Sequence, residues 1–152
     1  MADDPLPEQT LIPVDPIVNC IVFDASGRIR QSGACALSLL DVHAAHFGEG
    51  FTAMVVPEGQ FDRDIDANAY VLDGVITPKA IVLSATEITI EADGVSSVMF
   101  PVPAGTTVTH DGETIEIEDG TFEFSSDDVG SFHFFFAVPA AYKDFRVTIH
   151  AV

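Results

Sequence analysis

Residues 131–137 read SFHFFFA, and this stretch places four of the chain's twelve Phe residues within five positions. In a β-strand, Phe132, Phe134 and Phe136 would point to one face of the sheet, and His133 and Phe135 to the other. Because aromatic rings then occupy both faces, we predict a central strand that is covered on both sides. Either a neighbouring subunit or the N-terminal part of the same chain would cover the second face, and the sequence leaves both open.

The strand and turn signals around this stretch predict a β-rich unit over residues 79–152. Asp-Gly recurs at 93–94, 111–112 and 119–120, between stretches rich in β-branched and aromatic residues. Short strands separated by turn signals every ~8–12 residues are typical of an immunoglobulin-like antiparallel β-sandwich. The predicted strands are 80–92, 96–102, 106–110, 113–118, 121–126, 131–138 and 145–152.

Residues 17–78 have the pattern of a small α+β unit, so the fold class we predict is mainly β with two units. A hairpin is expected on either side of residues 24–27, and a second one around the Asp-Gly pair at 73–74. Between them, Ser38 and Asp41 match a capping box that would open a short helix, and Gly48 would end it. A further strand is predicted at 51–59.

Residues 1–16 contain four prolines, and this composition predicts an extended arm. Such an arm becomes ordered where it docks on another surface, although a disordered terminus would have the same composition. The segment is acidic and proline-rich, so we expect no signal peptide. The residues that we assign to a predicted interface are Pro5, Pro7, Pro13, Phe132, Phe134, Phe135 and Phe136.

The charge of the chain restricts its partners. The sequence has 24 acidic and 6 basic residues, a formal net charge of -18, and its mean hydropathy of +0.31 is high enough for a buried core. A strongly negative surface repels phosphate groups, so we expect neither nucleic acid nor an anionic membrane surface as a partner. No apolar run approaches the ~20 residues that a membrane-spanning helix needs.

The two cysteines flank the first predicted hairpin. With a two-residue loop, Cys20 would pair with Gln31 and Cys35 with Pro16, which is out of register for a disulfide unless a bulge intervenes. We therefore expect free thiols and synthesis in a reducing cytoplasm.

Candidate sites for metals and catalysis are weak in this sequence. Asp62, Asp64 and Asp66 fall at positions 1, 3 and 5 of an EF-hand pattern, which leaves a loose calcium site or a solvated acidic loop as the two interpretations. His43 and His46 lie one helical turn apart, but a zinc site would need further ligands. No nucleophile elbow and no glycine-rich phosphate loop is present, so we predict a non-enzyme without a cofactor other than this weak calcium site.

The C-terminal half, PVPAGTTVTHDGETIEIEDGTFEFSSDDVGSFHFFFAVPAAYKDFRVTIHAV, resembles a module found in small tail-associated proteins of tailed bacteriophages. The preceding VFDASGRIRQSG and YVLDGVITPKA resemble the N-terminal unit that accompanies this module, so the resemblance covers roughly residues 18–152. The sequence departs from the family pattern at Val129, where Pro is usual, and at Phe132, where a corner Tyr is usual. Phe132 has no hydroxyl, so this corner is expected to depend on apolar packing alone.

The resemblance implies a non-enzymatic virion structural protein of the tail fibre, tail tip or neck, made in the host cytoplasm and incorporated into the particle. It implies contacts with other virion proteins, homo-oligomers and a role in host attachment. A capsid decoration protein or a glycan-binding adhesion module is the alternative. The loops are acidic and small, which favours assembly over sugar recognition.

Overall fold

The computed structural model describes residues 14–152, and its fold is mainly β, with 47% of these residues in strands and 11% in helices. The elements of the N-terminal unit are β1 (Ile17–Phe23), β2 (Ile29–Ala36), a 3-10 helix (Leu37–Leu39), α1 (Leu40–Phe47), β3 (Thr52–Val55), α2 (Ile65–Asn68), β4 (Ala69–Leu72) and β5 (Val75–Pro78). The elements of the C-terminal unit are β6 (Glu87–Ile90), β7 (Ser97–Pro101), β8 (Thr107–His110), β9 (Glu113–Glu116), β10 (Thr121–Ser125), β11 (Gly130–Ala137) and β12 (Phe145–Ala151).

The N-terminal unit combines a three-stranded antiparallel sheet, in the order β2-β1-β3, with the β4–β5 hairpin. Both predicted hairpins are confirmed. Asp73 and Gly74 have φ angles of 50° and 77°, which is the left-handed pair that a two-residue hairpin turn requires. The apolar residues buried together in this unit are Ile21, Ile29, Val56, Ile65, Ala69 and Val71.

The predicted helix begins without the side-chain cap that we expected. The helix itself is confirmed and ends at Gly48, but its N-cap residue makes no side-chain cap hydrogen bond, so the capping box of Ser38 and Asp41 is wrong. In the 3-10 helix before α1, the carboxylate of Asp15 instead accepts hydrogen bonds from the backbone N–H of Ser38 (3.1 Å) and from the Ser38 hydroxyl (2.5 Å). These bonds lower the pKa of Asp15.

The predicted register of the two cysteines is also wrong. The β1–β2 loop is longer than two residues and a bulge lies between Val22 and Phe23, so Cys20 pairs with Gly33 and Cys35 with Val18. The two buried thiols consequently lie diagonally across the hairpin, with their Sγ atoms 3.2 Å apart, and both are free in the structure.

The C-terminal unit has two sheets that pack against one apolar core. The larger sheet has the order β6-β12-β11-β8-β9, and the smaller one pairs β7 with β10. All seven predicted strands contain an observed strand. The expected strand 80–92 is only four residues long, however, and β6 pairs with β12 in parallel, so the sheet is not wholly antiparallel.

Aromatic rings fill the space between the two sheets. Phe136 is fully buried and stacks on Phe145, with ring centroids 4.5 Å apart. From the smaller sheet, Phe100 and Phe122 contact the same ring at 5.5 and 4.9 Å. Burying such rings contributes a large share of the stability of a unit of this size.

The two units meet at the loop that joins β11 to β12, and not on a sheet face. Arg28, in the first hairpin, donates a hydrogen bond to the backbone carbonyl of Val138 (2.7 Å). Ala80 forms an isolated parallel bridge with Tyr142. Pro5, Pro7 and Pro13 of the predicted arm lie outside the described residues, while the backbone carbonyl of Pro16 accepts a hydrogen bond from Leu37 (2.9 Å).

Candidate functional site

The opening stretch forms β11, the central strand of the larger sheet, and its side chains alternate between the core and the surface. Phe134 and Phe136 are buried, whereas His133 and Phe135 are exposed. We call the exposed side of this sheet the outer face. By register and alternation, the outer face consists of Glu87, Thr89, Thr107, Thr109, Thr114, Glu116, Ser131, His133, Phe135, Arg146, Thr148 and His150.

Phe135 lies at the centre of the outer face and is paired with its neighbours on both sides. It pairs with Thr109 on β8 and with Arg146 on β12. The guanidinium carbon of Arg146 lies 5.4 Å from the centroid of the Phe135 ring, which is a cation–π distance. Together with His133 and Thr148, these residues line a shallow depression of about 310 Å³. Phe135 remains 36% exposed beneath the arginine.

Within residues 14–152, only one side of this strand is covered, so coverage of the other side by a neighbouring subunit stays a prediction. The N-terminal unit contacts the loop after β11 through the hydrogen bond from Arg28 to Val138, and His133 and Phe135 stay exposed. Coverage of the second face by the N-terminal unit is therefore excluded for the described residues. Nothing within residues 14–152 covers the outer face.

Hydrogen bonds between side chains cross the outer face from strand to strand. His133 Nδ1 lies 3.0 Å from the Thr148 hydroxyl, and the Thr109 and Thr114 hydroxyls are 2.7 Å apart. These pairs hold polar side chains in fixed positions at the surface, as cross-strand pairs do in other sheets.

A third line of hydrogen bonds joins a serine, a histidine and a carboxylate. Ser131 Oγ lies 2.9 Å from His150 Nδ1, and His150 Nε2 lies 3.4 Å from Glu87 Oε1. Nucleophilic catalysis would need in addition a set of N–H donors aimed at an oxyanion. Ser131 instead lies within a strand on an open sheet face, where its own backbone is part of the ladder with β12. We interpret this line as a link between β11, β12 and β6.

The residues predicted as an interface lie in different environments. Phe134 and Phe136 are 6% and 0% exposed and belong to the core, which corrects their assignment to a contact surface. Phe132 is half-buried and packs against Phe124 at a ring-centroid distance of 5.0 Å, so the corner without a tyrosine hydroxyl is packed by apolar contacts. Among these four, Phe135 alone lies on the outer face.

The candidate calcium residues begin a helical turn. Asp62 accepts a hydrogen bond from the backbone N–H of Asp64 (3.0 Å), and Asp66 lies in the first turn of α2. His43 and His46 lie on α1. In the part of the chain that the structure describes, no group of three or more His, Cys, Asp or Glu side chains is arranged to hold a metal ion.

The sequence analysis missed the polar residues that surround Phe135. The stretch 145–151, FRVTIHA, alternates between apolar residues and Arg146, Thr148 and His150. This alternation signals a strand with one exposed face, and the same reading applied to residues 131–137 would have placed His133 and Phe135 at the surface.

No helix within residues 14–152 is both long and apolar enough to cross a membrane. No family model, curated protein or solved structure matches this chain.

Proposed function

We propose that this protein is a non-enzymatic structural component that associates with further copies of itself through the outer face. The observation that carries the proposal is the exposed position of Phe135 and its paired Arg146 at the centre of a flat, ordered sheet face. Aromatic and arginine side chains at the centre of a surface are the residue types that most often dominate protein–protein contacts.

The charge of the outer face favours a second copy of the chain as the partner. Each molecule carries a formal charge of -18, so two copies repel each other over most of their surface. The outer face carries two carboxylates, Glu87 and Glu116, and both lie on the edge strands of the sheet, while its centre carries the positive charge of Arg146. Two such faces can meet with little repulsion.

The size of the face sets the expected strength of the association. Five strands at a spacing of ~4.8 Å give a face roughly 20 Å across. A square face of this width has an area of roughly 400 Å², which is below the ~800 Å² per partner of a standard stable interface, so we expect a weak, concentration-dependent equilibrium. Screening by salt shortens the repulsion between the acidic surfaces, and association therefore increases with ionic strength.

The immunoglobulin-like assignment of the C-terminal unit is part of this proposal. It is supported by the strand order, in which the smaller sheet pairs β7 with β10 and the larger one contains β8, β11 and β12. Strands 2 and 5 of the unit lie on one sheet and strands 3, 6 and 7 on the other, as in immunoglobulin-like sandwiches, whereas strands 1 and 4 depart from the constant-type division because they lie on the larger sheet. The resemblance to phage tail-associated proteins suggests a tailed-phage virion as the setting, in a tail fibre, tail tip or neck, with other virion proteins as neighbours.

Glycan binding is the second candidate, because an exposed ring within a polar depression could stack on a sugar. The guanidinium of Arg146 already lies over the Phe135 ring, however, which leaves less of that ring for a sugar. This contact favours assembly over adhesion.

The test is the mass of the purified protein by light scattering across a range of concentrations and salt. We expect a discrete multimer that forms at higher concentration, and at lower concentration when salt is added. A monomer at every concentration and every salt level would reject self-association.

A further inference from the structure

The positive charges of this acidic protein are concentrated in one groove between the two units. Four of the six Lys and Arg residues line it: Arg28, Arg30, Lys79 and Lys143. The groove has a volume of about 510 Å³, and we call it the basic groove. In a protein with 24 acidic residues, a cation at most surface positions would lie next to a carboxylate. The grouping of four cations in one groove is therefore unusual.

Hydrogen bonds to backbone carbonyls fix the positions of two of these cations, and a backbone bridge places the chain segment that carries a third. Arg28 is anchored by its hydrogen bond to the Val138 carbonyl, and the Lys79 ammonium donates one to the backbone carbonyl of Asp66 (2.9 Å). The bridge between Ala80 and Tyr142 keeps the two backbone segments that carry Lys79 and Lys143 next to each other. The cations therefore come from both units and converge on one space.

Carboxylates neutralise only part of this charge. Arg30 forms an ion pair with Asp24, at 3.0 Å between Nε and Oδ2. Within residues 14–152, Arg28, Lys79 and Lys143 have no carboxylate oxygen within 4.0 Å, as no salt bridge joins them to any described residue. The carbonyl oxygens that contact Arg28 and Lys79 each accept one hydrogen bond. They carry no formal charge, so they do not neutralise these cations.

Two acidic residues, Asp66 and Asp144, also line the groove, but neither forms an ion pair with its cations. Asp144 accepts a hydrogen bond from the backbone N–H of Val138 (2.9 Å), which ties down the loop between β11 and β12. Asp66 contributes its backbone carbonyl to Lys79 and keeps an exposed carboxylate.

Burial lowers the pKa of Lys79 first of all, and the nearby charge of Arg28 lowers it further; Lys143 acts in the same direction, while Asp144 and Asp66 oppose it. A partly buried ammonium is stabilised by a bound anion, because the anion favours its charged form. Low-dielectric walls also focus the field of such a cleft on an incoming ligand.

We propose that the basic groove binds a small multivalent oxyanion, a molecule that carries at least two phosphate or carboxylate groups. Guanidinium and ammonium groups both bind such oxygens through charge-assisted hydrogen bonds, and the volume of the groove exceeds what a single inorganic ion fills. Cations at different points around one space fit several anionic groups on one molecule. This site is separate from the outer face and does not depend on self-association.

Isothermal titration of the full chain with pyrophosphate and with citrate tests the site, each against NaCl at matched ionic strength. We expect saturable binding of at least one probe with one site per chain. Tighter binding of pyrophosphate would identify phosphate as the anionic group, and tighter binding of citrate would identify carboxylate. If neither probe binds beyond the effect of NaCl, the proposal is overturned.

Charge-removing variants locate the binding. Lys79→Gln and Lys143→Gln should each weaken binding at least about tenfold, which corresponds to the loss of one charge-assisted contact. Arg63→Gln removes an exposed cation outside the groove and should leave affinity unchanged. Lys79→Arg keeps the charge, so it should retain binding and distinguishes loss of charge from misfolding. Equal weakening by Arg63→Gln and Lys143→Gln would show non-specific attraction and contradict the assignment.

Discussion

Gly27 is the residue whose backbone is most tightly constrained by its surroundings. Its φ angle is +83°, and a Cβ atom added there would lie 2.0 Å from the carbonyl oxygen of Val71, whose N–H donates to the Gly27 carbonyl at 2.8 Å. Gly27→Ala should therefore lower the free energy of unfolding by at least about 2 kcal/mol, through backbone strain and steric overlap. Gly33→Ala is the control, because nothing lies within 4 Å of its added Cβ. Urea unfolding compares them, and equal stabilities would contradict this packing.

The Cys20 thiol makes the stability of the fold decrease at high pH. Burial raises its pKa from 9.0 to about 11, and the hydrogen bond and charge of Cys35 act in the same direction. Since the folded state favours the protonated thiol, its contribution to stability is complete below pH 9 and is lost as the pH rises towards 11. Urea unfolding at pH 8 to 11 should show a steeper decline for the wild type than for Cys20→Ala, which corrects for tyrosine and lysine titration. Parallel declines would refute this assignment.

Among the elements, β11 has a core residue, Phe136, directly after a surface residue, Phe135. Phe136 is 0% exposed and contacts three aromatic rings, so Phe136→Ala should cost about 3–5 kcal/mol of stability. Phe135→Ala removes a ring from the outer face and should cost about 1 kcal/mol or less. Thermal unfolding of the monomer at low concentration measures both. A larger loss for Phe135→Ala than for Phe136→Ala would mean that the sides of β11 are assigned incorrectly.

Among the secondary-structure elements, the sequence predicts the features that depend on neighbouring residues in the chain. The hairpin at Asp73 and Gly74 was predictable because the left-handed turn conformation favours these two residue types. The contact of Asp15 with Ser38, just before α1, was not, because Asp15 lies 23 residues before Ser38 and only the fold brings them together. The register of Cys20 was missed because the loop is longer than two residues and a bulge adds a further shift, so that Cys20 pairs with Gly33 and not with Gln31.

At the scale of the whole molecule, sites assembled from residues that are far apart in the sequence could not be predicted. Arg28 and Lys143 are separated by more than a hundred positions, and their convergence depends on how the two units meet. The central place of β11 was predictable from its aromatic run, but coverage of its second side was not, because a row of Phe does not reveal whether the neighbouring element or another molecule covers it. The outer face is therefore the feature on which the account of function depends.

The mass distribution by sedimentation velocity of the wild type, Phe135→Glu and Val129→Glu tests this account most directly. Both variants add a negative charge at an exposed apolar residue, but Val129 precedes β11 and lies outside the outer face. The account predicts that the wild type and Val129→Glu form the same multimer, while Phe135→Glu remains a monomer with an unchanged fold by circular dichroism. A Phe135→Glu protein that assembles as the wild type does would contradict it.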